Sequence, residues 1–154
     1  MINLAFAIIF LLSFSVSLGL IPLARWLSFK VGALSKPDER RLEDEPMPRL
    51  GSIAIFSGFI VAIIVAQLLP IPRQDPNETI RLTGLVLGSI FVFIVWFFDD
   101  IFEFNWLVQA IAQVISAFIA VSFHIFIEFF NNPLTGQQTD PWAFWVPVIL
   151  TTFW

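Results

Sequence analysis

Cysteine is absent from all 154 residues. That excludes disulfides, thiol nucleophiles and thiolate metal sites. Histidine occurs once, at His124, near the outer end of an apolar run, where an interfacial side chain is the expected role. Charge is scarce as well. Only 13% of residues are charged and 58% are hydrophobic, against roughly 25% charged in an ordinary soluble domain. A mean hydropathy of +0.86 points the same way, to a chain that lives in a bilayer. Internal repeats and low-complexity linkers are lacking. No basic residue precedes the first apolar stretch, and the first arginine is Arg25. Without a small-residue cleavage pattern, that stretch is expected to be a span and not a removed leader.

What is present is organised by where the charges fall. Residues 1–24, Leu50–Pro72, Leu82–Phe98, Phe104–Ile127 and Pro141–Trp154 are five uncharged runs. A spanning helix needs about 20 apolar residues, with roughly 17 as the lower limit. Four runs meet that limit and the fifth is too short. The expected fold class is therefore all-α: a polytopic transmembrane helical bundle of four complete spans and a truncated fifth, forming a single membrane domain over 1–154. The abundant Phe and Trp, 19 and six residues, suit lipid-facing and interfacial positions.

Six of the eight Lys and Arg residues lie between Arg25 and Arg49. The positive-inside rule makes the 25–49 loop cytoplasmic and puts the N-terminus outside. The run Leu82–Phe98 then returns to the cytoplasm and delivers Asp99-Asp100 to the same face. At about 26 Å that run only just spans, so the acidic pair is expected at the membrane surface. If the helix continues through the pair, Asp99, Asp100 and Glu103 share roughly one side. Clustered carboxylates repel unless protons or a cation neutralise them. Oxygen ligands of this kind suit Mg²⁺, which takes one or two carboxylates with substrate phosphates and waters. Basic residues such as Lys36, Arg40, Arg41 and Arg49 can pair with phosphate. The residues thus suggest metal-assisted chemistry on a phosphorylated substrate. The competing readings are a solvated acidic helix cap and a basic loop that sets topology or meets anionic lipid. A transporter is disfavoured because transporter sites lie near the midplane. Asn105, Gln109 and Gln113 recur at i, i+4, i+8 and are expected to form one polar helix face. Gly51, Gly58, Gly84 and Gly88 suit close helix packing.

The segments Lys36-Pro-Asp-Glu-Arg40, Pro46-x-Pro-Arg-Leu-Gly51, Asp99-Asp100 and Gln113, in this order and spacing, resemble the polyprenyl-phosphate N-acetylhexosamine-1-phosphate transferases, and their N-acetylglucosamine branch in particular. The resemblance covers nearly the whole chain. It implies an inner-membrane enzyme of cell-envelope polysaccharide synthesis, working at the cytoplasmic face. Such an enzyme moves a sugar-1-phosphate from a UDP-N-acetylhexosamine to a polyprenyl phosphate lipid and releases UMP. Mg²⁺ is the implied cofactor, with Mn²⁺ as an alternative. A homodimer is compatible and no nucleic-acid partner is expected. Asp99 and Asp100 match the catalytic acids, and with Glu103 the metal-binding set. Lys36, Arg40, Arg49 and Gln113 match substrate-binding positions. Three departures stand out: Glu43-Asp44-Glu45 replaces a basic stretch with His, Gly51-Ser52 replaces Gly-Gly, and a Lys before the family Gln is missing around Leu107 and Gln109. The resemblance also implies a further Asn/Asp-rich segment and a His-bearing loop downstream, so these 154 residues are expected to be inactive alone.

Overall fold

The structure, a computed structural model, describes residues 2–35, 46–73, 75–127 and 145–153. Helix dominates: α1 (Ile2–Val31), α2 (Ser52–Leu68), α3 (Glu78–Phe102), α4 (Trp106–Ser122) and α5 (Trp145–Phe153). The remaining regular structure among the described residues is a pair of two-residue strands, β1 (Leu34–Ser35) and β2 (Met47–Pro48). Each helix answers to one uncharged run, because within a bilayer only intrahelical hydrogen bonds satisfy the backbone. Hydroxyls follow the same rule. Ser13 Oγ donates to Ile9 O at 2.7 Å, Ser15 Oγ to Leu11 O at 2.6 Å and Ser57 Oγ to Ile53 O at 2.8 Å.

Among the described residues two helices are long and apolar enough to cross a membrane, α1 and α3, and only 0% and 6% of their most apolar stretches is buried within the protein. A soluble protein's core helix would be covered. α2 and α4 are shorter, at 17 residues each, which is the lower limit of roughly 17 for a span. The chain is a helical integral membrane protein.

Two boundaries differ from the sequence expectation. α1 runs on past Arg25 to Val31, so the connection that follows begins at Gly32. Long basic side chains are tolerated at a span's end because they lie along aromatic rings. Lys30 Nζ sits 4.7 Å from the Trp26 ring centre and the Arg25 guanidinium 6.0 Å from that of Phe29. α3 begins at Glu78 and is about 37 Å long, which leaves Asp99 and Asp100 in its last turn.

The chain divides into two compact units. The first comprises Met1–Arg73 and Phe93–Glu103. Here α1 packs along α2, and the contact is made close by small residues. A Cβ on Gly58 would lie 2.9 Å from Ser13 O and would overlap the Ser17 hydroxyl. The Phe56 and Phe93 rings stack at 4.2 Å and join α2 to the second half of α3. The second unit comprises Gln74–Val92 and Phe104–Trp154. Its α3 half presents Gly84 to Phe123, with the Cβ position occupied by that side chain. Gly88 meets Ile119 Cγ2 at ordinary contact distance, 3.7 Å. Ile127 N–H donates to Thr151 Oγ1 at 2.9 Å and ties the end of the α4 segment to α5. Gly58 and Gly84 are thus true packing glycines. Gly51 is not, since nothing lies within 4 Å of its Cβ position.

Candidate active site

The site in the first unit is built by the chain's return from α1 to α2. Gly32 ends α1 with φ of +79°, a left-handed conformation open to glycine at little cost. Ala33, almost fully buried, accepts the Arg49 N–H through its carbonyl at 3.1 Å. Between these points β1 and β2 pair antiparallel, Leu34 opposite Pro48 and Ser35 opposite Met47. The next residue, Leu50, is completely buried, and its N–H donates to Ser28 Oγ at 3.1 Å. Ser28, also fully buried, donates in turn to Ala24 O at 2.8 Å. Arg49 is therefore held by its own backbone hydrogen bond and by its buried neighbour Leu50, which is tied to Ser28 on α1.

Its side chain reaches the end of α3. Arg49 Nη1 donates to Glu103 Oε1 at 2.6 Å, and Arg49 Nε lies 3.8 Å from Asp100 Oδ1. The first is a charge-assisted hydrogen bond, while the second is electrostatic only. Asp99 is buried, 8% exposed. Ser52 Oγ, shielded from solvent in the first turn of α2, is near enough to bear on the Asp100 carboxylate without hydrogen-bond geometry. One guanidinium thus faces two carboxylates, Asp100 and Glu103, with the buried Asp99 carboxyl adjacent in sequence. The local balance favours cations and disfavours a bare anion.

Glu103 does not share a helix face with the pair. α3 stops at Phe102, and Glu103 adopts φ of +51° while its N–H closes the helix on Asp99 O at 2.9 Å. This is the left-handed helix closure usually made by glycine, and a non-glycine residue there carries backbone strain on the order of 1–2 kcal/mol. Among the described residues no group of three or more His, Cys, Asp or Glu side chains is placed to hold a metal ion. Asp99 and Asp100 remain a donor pair of the sort Mg²⁺ accepts when phosphates and waters complete its shell. Glu103 is engaged by Arg49.

The other expected positions divide. Lys36 and Arg40 lie outside the described residues. Gln113 is on an exposed part of α4 in the second unit. Asn105 leaves the expected polar helix face. It is the N-cap of α4, its side chain accepting from Leu107 N at 2.9 Å and Val108 N at 3.1 Å. Asparagine before an apolar helical run signals that role in sequence. Ser28 and Leu50, which fix Arg49, carry no such signal.

The structure is thus that of a helical membrane protein in which a basic turn is held against carboxylates at the end of an apolar helix. Comparison with known proteins agrees with a membrane protein. The chain is 26% identical over 145 residues, 94% of its length, to a Bacillus subtilis protein named "Probable undecaprenyl-phosphate N-acetylglucosaminyl 1-phosphate transferase". It is 24% identical over 115 residues to proteins of Mycolicibacterium smegmatis and Mycobacterium tuberculosis named "Decaprenyl-phosphate N-acetylglucosaminephosphotransferase", 75% of the chain in each case. The chain spans 38% of the Bacillus protein and 28% of the mycobacterial ones. No family model and no solved structure matches it. The family resemblance read from the sequence is borne out: the chain is a homologue of the polyprenyl-phosphate N-acetylglucosamine-1-phosphate transferases over most of its length.

Proposed function

We infer that the chain contributes the Asp99-Asp100 site of a phosphoglycosyltransferase that moves N-acetylglucosamine-1-phosphate from a UDP-sugar to a polyprenyl phosphate, releasing UMP, in cell-envelope synthesis. The observation that carries this reading is the meeting of two separate segments, Arg49 from the loop and Asp100 with Glu103 from the end of α3. Both segments belong to the stretch shared with the named transferases. In the proposed reaction an oxygen of the lipid phosphate attacks the β-phosphorus of the UDP-sugar. A new phosphoanhydride bond forms as the old one breaks, and UMP leaves with its electron pair. Mg²⁺, held by Asp99 and Asp100, would supply charge neutralisation for the diphosphate. Arg49 is placed to orient a phosphate, and its release from Glu103 would accompany that contact. Lys36, Arg40 and Gln113 are the remaining substrate-contact candidates. The site faces the cytoplasm with the N-terminus outside, as the distribution of Lys and Arg supports.

The test is transfer of label from UDP-N-acetylglucosamine to a polyprenyl phosphate by the full-length protein, with and without Mg²⁺. Metal-dependent lipid product with stoichiometric UMP supports the reading, and no product under any metal condition opposes it. The 154 residues alone are expected to be inactive, since they span 38% of the Bacillus relative. A second reading has one observation in its favour. The Arg49–Glu103 contact alone would serve as a structural clasp in a non-enzymatic membrane protein. In that case Asp99→Asn and Asp100→Asn would change abundance only.

A further inference from the structure

A groove of 670 Å³ runs along α1 and α2 in the first unit, away from the carboxylates. Its α1 wall extends from Phe14 to Phe29 through residues three and four apart, the spacing of one helix face. That wall is about 22 Å long at 1.5 Å per residue. One leaflet of a bilayer's hydrocarbon core is about 15 Å deep, half of roughly 30 Å. The groove is therefore long enough for a lipid chain in one leaflet. Its lining is apolar along most of its length, with Leu18, Ile21, Ala54 and Ile55 among its walls. Charge is confined to one end. Arg25 is the only charged side chain among the described lining residues, and it lies in the last two turns of α1. Trp26 and Lys30 on the adjoining turn mark the membrane interface at the same level.

We propose that this groove is a binding site for an anionic phospholipid, whose acyl chain lies between α1 and α2 and whose headgroup phosphate pairs with Arg25. Charge complementarity selects the occupant. An apolar trough closed by a cation at headgroup depth favours a lipid of net negative charge, because a zwitterionic headgroup offsets its phosphate with its own ammonium. The guanidinium lies loosely over Phe29 at 6.0 Å, exposed and positioned to take phosphate in bidentate fashion. The proposal does not rest on the transferase reading, because neither Asp99 nor Asp100 lines the groove.

The experiment places a fluorophore in the groove through Ile55→Cys, with the unsubstituted protein as the labelling blank. The labelled protein is reconstituted in equal mixtures of phosphatidylglycerol and phosphatidylcholine, one or the other brominated on its chains. Brominated phosphatidylglycerol is expected to quench more, with a selectivity of about fivefold, corresponding to roughly 1 kcal/mol per basic residue near an anionic surface. Arg25→Gln should bring the ratio close to one. Arg25→Lys, which keeps the charge, should retain most of it and shows that the substituted helix still folds. Equal quenching by the two lipids would overturn the proposal. So would a preference that survives Arg25→Gln, or no quenching by either lipid, as when a protein segment or second copy fills the groove.

Discussion

Replacing Gly58 by alanine and Gly19 by alanine should move stability in opposite directions. Both are helix-interior glycines, so intrinsic propensity favours each substitution by about 1 kcal/mol. At Gly19 nothing lies within 4 Å of the new methyl group, and that gain is expected in full. At Gly58 the methyl would meet Ser13 O at 2.9 Å and the Ser17 side chain more closely still. The hydroxyl of Ser17 can turn aside, but Ser13 O is backbone within α1. The helices must therefore separate by a few tenths of an ångström along a long contact. Overpacking of this kind typically costs about 1–3 kcal/mol, and the cost opposes the propensity gain. Gly58→Ala should be destabilising by up to about 2 kcal/mol net. Thermal unfolding in detergent, read by helical circular dichroism, measures both variants. Adding Ser17→Gly should recover the hydroxyl's share and leave the carbonyl's. Stabilisation by Gly58→Ala of the same size as by Gly19→Ala would refute the close α1–α2 contact.

Further outcomes follow from the loop that carries Arg49. Leu50→Ala empties a fully buried position and should cost about 2–5 kcal/mol in the same unfolding assay. Ser28→Ala leaves the buried Leu50 N–H without its acceptor and should cost about 1–3 kcal/mol. Glu103→Gly and Glu103→Gln both lose the charged contact with Arg49, but only the glycine relieves the positive φ. The glycine variant should be the more stable of the two by about 1 kcal/mol, and equal stability would argue against the left-handed closure. Asn105→Ala removes the cap of α4 and should cost about 1 kcal/mol.

Charge alone marked out the helices, since each break between uncharged runs lies at or near a helix boundary. The resemblance carried by Pro46–Gly51 and Asp99-Asp100 pointed to the transferases that the chain is similar to. Sequence could not reveal how these segments meet. The β1–β2 pair is two residues long and has no periodicity to read. Arg49 acquires its partners through tertiary contacts with residues 51 and 54 positions away. Glu103 follows an uninterrupted helical pattern, and nothing local announces that it will take a conformation normally left to glycine. The expected three-carboxylate face failed for that reason. α1 outran its apolar stretch because Arg25 and Lys30 found aromatic surface.

The proposed site is tested most directly by transferase assays on full-length protein carrying Asp99→Asn or Asp100→Asn, with membrane levels matched to the parent. The account predicts a loss of lipid-linked product of about 100-fold or more for each, the scale on which positioned ionisable groups act, with abundance unchanged. Activity retained within a fewfold in both variants would contradict it and leave Arg49, Asp100 and Glu103 as a structural clasp.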